Sequence, residues 1–198
     1  DAFVKWYRSQ QYYDSGQWRG TKKIDGGGAL MNQAIHAVDL LQWFGGKVST
    51  VYAFGDTLAR KNIEVEDTLS CAIKFANGAM GVIEAATSVF KGFPKRIEIL
   101  GTDGAIVLEE ENIVRWDFAD EKPQDKEIRE KFANISNASG GSDPKAISIE
   151  GHILQYRDFV SAIENKTKLS IDGVEAKKAV SLIEAIYKSV ETGKPVVL

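Results

Sequence analysis

Two turn signals, Asn77-Gly78 and Asp103-Gly104, constrain this 198-residue chain most strongly. Each lies between two strand-like runs. Thr68 to Phe75 faces Ala79 to Ser88, and Lys95 to Leu100 faces Ala105 to Glu110. Asn-Gly and Asp-Gly tolerate the positive φ angles of tight hairpins, so each pair of runs folds back as antiparallel strands. Lys47 to Phe54 alternates as a strand does, and Asn112 to Phe118 reads as another. Phe3 to Tyr13 reads as a strand running into a loop. A mainly antiparallel sheet of about five or six strands is expected.

Such a sheet needs helices to cover a face, and Asp25 to Gly46 supplies the most informative one. It reads DGGGALMNQAIHAVDLLQWFGG. At about 100° per residue, Leu30, Ala34, Ala37, Val38 and Leu41 share a buried side. Asn32, His36, Asp39 and Trp43 form a stripe on the other side, and Gly45-Gly46 ends the helix. A solvated face is the plain alternative. The stripe has no Lys or Glu, however, ends in a tryptophan and holds one of the chain's two histidines, so His36 is a candidate functional residue. Two more helices close the chain. Gly151 to Asn165 places Ile153, Leu154, Phe159, Val160 and Ile163 at helical spacing, with His152 at its start. Asp172 to Thr192 begins with Asp172 three residues before Glu175, a capping signal, and stops at Gly193 and Pro195. Its buried face is expected to be Val174, Ala179, Leu182, Ile183, Ile186 and Val190.

Several function classes lack support. The net charge is −3 and no basic, aromatic-rich patch is present, which argues against nucleic acid as a partner. No apolar run is long enough to span a membrane. The one cysteine, Cys71, lies in a strand-like run, where a buried reduced thiol is expected, consistent with a cytoplasmic protein. No zinc-type ligand spacing appears, so no metal site is expected. Glu66 and Asp67 are adjacent and point to opposite faces of a strand, which suits turn contacts better than paired-carboxylate catalysis. Asp120 to Ser148 reads as a long loop, functional or mobile. Trp18 and Arg19 sit on an expected loop, where an aromatic beside a cation suits a planar or anionic ligand; Trp18 capping a core is the alternative. No G-x-G-x-x-G follows a strand, and the chain opens directly on a strand without Met, as part of a longer polypeptide would.

WRGTKKIDGGGALMNQAIHAVDLLQWFGG, then VEDT, FANGAMG, IEILGTDGAIVLEE and the closing DGVEAKKAVSLIEAIYKSVETGKPV resemble the C-terminal domain of the glucose-fructose oxidoreductase / inositol dehydrogenase / MocA family. The most specific piece is GGG-x-L-x-N-x-x-x-H-x-x-D. The resemblance implies an α+β fold, an open, mainly antiparallel sheet with helices packed on one face, over residues 1–198 as a single domain. It implies an N-terminal Rossmann domain elsewhere in the protein, NAD or NADP as cofactor, and a sugar, cyclitol or nucleotide sugar as substrate. It also implies a homo-oligomer formed through the sheet face. By position, His36 matches the family's catalytic histidine, and Asn32 stands where inositol dehydrogenase-like members often carry Asp. An amide can hold a hydroxyl or orient His36 but cannot relay a proton. Trp18 and Arg19 match a pair that reaches the cofactor. Arg8, Tyr12, Tyr13, Gln33, Asp39 and His152 are candidate substrate contacts, with helix anchoring as the other role for Asp39. Two alternatives stay open: a non-catalytic sensing or assembly module, and a glycosidase acting through transient oxidation.

Overall fold

The computed structural model describes residues 1–133 and 149–198. Its strands are β1 (Ala2–Lys5), β2 (Val48–Asp56), β3 (Thr68–Phe75), β4 (Met80–Ala86), β5 (Arg96–Leu100), β6 (Gly104–Glu109), β7 (Asn112–Phe118) and β8 (Val196–Val197). The helices are α1 (Gln10–Asp14), α2 (Ile35–Gly45), α3 (Pro123–Phe132), α4 (Glu150–Asn165) and α5 (Gly173–Thr192). All eight strands join one open sheet in the order β7-β6-β5-β1-β4-β3-β2-β8. Among the described residues only β1 and β4 pair in parallel, with Ala2 opposite Ile83 and Lys5 opposite Ala86. Both expected hairpins form, β3 with β4 and β5 with β6, and Gly78 takes a φ of 93° in the first turn. The sheet exceeds the expected size because every strand-like run joins it and one unforeseen short strand, β8, is added. β1 sits at its centre, and β8 adds two residues to the β2 edge after Pro195.

The alternation of the central strands decides which face is dry. Val51, Ala53, Leu69, Cys71, Ile73, Ile83 and Ala85 point inward and are buried. α2 and α5 lie across that face. Ala37, Val38 and Leu41 of α2 meet Leu182, Ile183 and Ile186 of α5 in the same apolar cluster. Burying each of the larger of these side chains, Val38, Leu41, Leu182, Ile183 and Ile186, contributes about 1.5–3 kcal/mol. Asp172 caps α5 by accepting from the amides of Val174 and Glu175, both at 2.9 Å. Gly193, with a φ of 62°, ends that helix. Burial holds the Cys71 thiol neutral, with its pKa pushed up to about 12.

Three local expectations are corrected. Gln10–Asp14 is a helix, nucleated where Ser9 Oγ accepts from the Tyr12 amide at 3.2 Å. Within the stretch expected to be a loop, Pro123–Phe132 is helical, with Pro123 at its first turn and Asp125 accepting from the Lys122 amide at 2.6 Å. The remainder of that stretch, 134–148, lies outside the described residues. Finally, α4 buries only Ala162, while Leu154, Phe159, Val160 and Ile163 stay exposed, as does Val174 of α5. Among the described residues, no helix is long and apolar enough to cross a membrane.

Candidate functional site: the triglycine turn and its histidine helix

The segment before α2 folds differently from a regular helix. Ala34 N–H reaches back five residues to the Ala29 carbonyl at 3.0 Å, so Ala29–Gln33 is one π-helical turn. α-Helical bonding resumes with Val38 N–H to the Ala34 carbonyl at 2.9 Å. The expected buried side is still correct: Leu30, Ala34, Ala37, Val38 and Leu41 are all buried. The expected single stripe is not, because the wider turn breaks the 100° spacing between Asn32 and His36.

A helix start leaves amides without partners, and Gly28 has no side chain to cap them. Glu66 fills the role from the loop before β3. Its Oε2 accepts from Gly28 N–H at 3.1 Å and its Oε1 from Leu30 N–H at 2.9 Å. Its carbonyl accepts from Ala29 N–H at 3.0 Å. The Tyr187 hydroxyl of α5 donates to Glu66 Oε1 at 3.0 Å and also accepts from Gly28 N–H at 3.2 Å. Burial pushes the Glu66 carboxyl above its ordinary range, and these donors partly oppose it. A Cβ at Gly28 would overlap the Glu66 carbonyl oxygen, and one at Gly27 the Tyr187 hydroxyl. The two glycines are therefore demanded by close approach, whereas Gly26 takes a φ of 82° with open space around it.

Asn32 is exposed, and its Nδ2 donates to the Gly27 carbonyl at 3.0 Å. Gln33 is half-buried, and its Oε1 is enclosed without a hydrogen-bond partner among the described residues. His36 stands exposed in the first turn of α2. Partial desolvation lowers its pKa below the ordinary 6.5, Lys95 and His152 push the same way, and Asp39 opposes them. The ring is therefore neutral at pH 7. His152 is exposed near the start of α4. Asp39 and Trp43 line a separate groove of about 570 Å³ between α2 and α5, beside Gln42, Lys177 and Ser181. Asp39 thus reaches His36 only through its charge.

The aromatic opening of the chain forms a column of stacked cations. The Arg8 guanidinium lies 5.0 Å from the Trp6 ring and 5.7 Å from Tyr12. Arg19 lies 4.5 Å from Tyr12 and 4.7 Å from Trp18. Trp18 is 45% exposed and does not cap the core. Arg19 donates to Ser15 Oγ at 2.9 Å, and among the described residues no carboxylate pairs with it. Arg60 braces the column by donating to the Arg8 carbonyl at 2.7 Å while lying over Tyr7. Tyr13 is placed in the interior instead of a pocket, only 6% exposed, its hydroxyl shared with Thr87 Oγ1 at 2.7 Å.

The neighbouring Glu66-Asp67 pair makes turn contacts, as its spacing suggested. Buried Asp67 accepts from the amides of Leu58, Ala59 and Arg60 at 2.7–2.9 Å. Burial alone would raise its pKa, but these amides outweigh that and hold it below the usual carboxylate range. Sequence reasoning did not find Glu66 as a cap, Tyr187 as its partner, or Lys95 as the cation acting on His36. Lys95 could not be found from spacing, since it lies 59 residues along the chain from His36. Among the described residues, no group of acidic, histidine or cysteine side chains could hold a metal ion.

The open sheet thus carries a histidine helix that starts on a triglycine turn. The chain belongs to the GFO/IDH/MocA family: residues 1–107 match the GFO/IDH/MocA C-terminal domain. It is 24% identical over 182 residues to the myo-inositol 2-dehydrogenase of Thermotoga maritima, covering 87% of this chain and 49% of that protein. It is 26% identical over 202 residues to the levoglucosan dehydrogenase of Pseudarthrobacter phenanthrenivorans, covering 87% and 52%. Among solved structures it resembles the WlbA dehydrogenase of Bordetella pertussis, in complex with NADH and UDP-GlcNAcA, with a TM-score of 0.84 and 36% identity over 100% of this chain and 56% of that one. The chain thus spans about half the length of the curated relatives it matches.

Proposed function

We propose that this chain is the substrate-binding and catalytic half of an NAD(P)-dependent dehydrogenase acting on a secondary alcohol of a sugar, cyclitol or nucleotide sugar. Its complement is an N-terminal Rossmann domain of the same polypeptide. The observation that carries the reading is His36, an exposed imidazole on the helix that follows the triglycine turn, with its pKa lowered by partial desolvation.

Oxidation of a secondary alcohol removes a hydride from carbon and a proton from oxygen. His36 takes the hydroxyl proton and returns it in the reverse direction; a pKa below 6.5 keeps it ready to do so at neutral pH. The nicotinamide cofactor, when bound, accepts the hydride. Asn32, tethered to the Gly27 carbonyl, offers its amide oxygen to a substrate hydroxyl, and Gln33 Oε1 offers an enclosed acceptor on the same turn. Tyr12 is a further candidate substrate contact, whereas Arg8, only 4% exposed, acts from beneath it by stacking on the ring, and His152 of α4 bears on the His36 charge. Trp18 and Arg19 suit the cofactor, because the indole is 45% exposed and, among the described residues, no carboxylate pairs with the guanidinium. Such a cation suits a pyrophosphate.

The outer face of the sheet suits self-association. Phe54, Met80 and Val82 project from it, with exposures of 67%, 81% and 38%. Exposed apolar patches of this kind mark interaction surfaces.

A substrate panel of sugars, cyclitols and UDP-sugars on the full-length protein, with NAD and NADP in parallel, tests the proposal. Cofactor reduction that depends on one such alcohol is expected. Its absence across the panel, with a folded protein, would favour the sensing or assembly role.

A further inference from the structure

Three successive amides, Gly28, Ala29 and Leu30, all end on the single residue Glu66. Tyr187 joins that contact from α5, 159 residues along the chain from Gly28. The two side chains come from elements that carry none of the proposed reacting groups. They meet at the point where the histidine helix begins. Gly27 and Gly28 leave room for nothing else there.

The π-turn gives this contact its consequence. π-Helical turns are rare and frequently lie at functional sites. Ala29–Gln33 holds Asn32 against Gly27 and delivers the chain to His36 six residues after Leu30. An unanchored segment could relax to α-helical bonding, which would turn its glycine end by about 100° relative to His36. We infer that Glu66 and Tyr187 are positioning residues: together they fix the start of the π-turn and thereby aim Asn32 and His36 at the substrate. This rests on the dehydrogenase reading above. His36 is itself influenced by Lys95, His152 and Asp39, and among the described residues none of these three makes a hydrogen bond or ion pair to Glu66 or Tyr187.

The test uses the full-length protein with Tyr187→Phe, Glu66→Gln and Glu66→Asp. The Phe variant keeps the ring and removes only the hydroxyl. The Asp variant keeps the charge but falls one carbon short. Two quantities are read: the NMR titration midpoint of His36, assigned through His36→Ala, and the steady-state constants. All three variants are expected to raise the His36 midpoint toward about 6.5 as the ring becomes more solvated. They are also expected to lower kcat about tenfold, with the KM for NAD unchanged. A folded Tyr187→Phe with wild-type midpoint and kcat, and only a lower melting temperature, would overturn the inference and leave a simple brace. If Glu66→Gln does not fold, Tyr187→Phe decides alone. A wild-type protein that oxidises no alcohol, yet whose His36 midpoint still rises in Tyr187→Phe, would remove the dehydrogenase reading and leave the positioning intact.

Discussion

Asn32 Nδ2 donates to the Gly27 carbonyl at 3.0 Å, which folds the amide back onto the turn that precedes it. A carboxylate has no hydrogen to give. Asn32→Asp should therefore lose this tether and set a negative charge against a carbonyl oxygen. The expected cost is about 1 kcal/mol of stability, with a fall in kcat/KM of the full-length protein. Urea unfolding and steady-state kinetics check both. Wild-type turnover would show that the amide itself is not needed.

His36→Ala should lower kcat by about 10²- to 10⁴-fold while leaving cofactor affinity near wild type. The pH profile carries the sign. With its folded pKa below 6.5, His36 stays deprotonated into mildly acidic solution, so the acid limb of kcat/KM should fall below pH 6.5. The same shift costs stability on acidification. As pH drops below 6.5 the unfolded chain binds the proton before the folded one does, and folding weakens. A limb at or above pH 7 would contradict the assignment.

Gly28→Ala should be far more damaging than Gly26→Ala. At Gly26 the new methyl meets open space and the cost is the positive φ alone, about 1–2 kcal/mol. At Gly28 it would overlap the Glu66 carbonyl oxygen and displace the amides that Glu66 holds. Thermal unfolding of the two variants side by side should separate them, and equal melting temperatures would refute the close approach.

Ile186→Ala opens a cavity where α5 meets the sheet, at a residue with no exposed surface. The expected loss is about 2–5 kcal/mol, read as a lower urea midpoint. Phe159→Ala, on the exposed side of α4, should cost less than about 1 kcal/mol in the same chain.

Met80→Glu with Phe54→Glu should reduce the mass of the full-length assembly in light scattering without loss of secondary structure. Each places a charge on the exposed sheet face. An unchanged mass would move the contact elsewhere.

Much of this architecture is legible in the residues themselves. Hairpin turns, the Asp172 cap and the alternation of β3 are local, and local signals are written in neighbouring residues. The buried side of α2 is equally local, since apolar spacing survives a change of turn. What escapes is long-range or depends on one hydrogen bond. Nothing near Glu66 announces that it will cap a helix 36 residues away in sequence, and nothing near Tyr187 announces its bond to Glu66. The π-turn hides because its sequence, ALMNQ, would suit an α-helix equally well. The apolar spacing of α4 implies burial, yet among the described residues that face is uncovered, because spacing reports what a side can bury and not what lies opposite it.

The π-turn also sets how this segment tolerates changes in length. Relative to an α-helix it holds one surplus residue, taken up in a single widened turn. Deleting Met31 would let the ladder close regularly and return Asn32 and His36 to one continuous line. An insertion of one residue would have to widen the turn again or push against the glycines held by Glu66 and Tyr187. The two ends of the site are thus indexed to each other by residue count, and a frame of one position separates two different surfaces built from the same side chains.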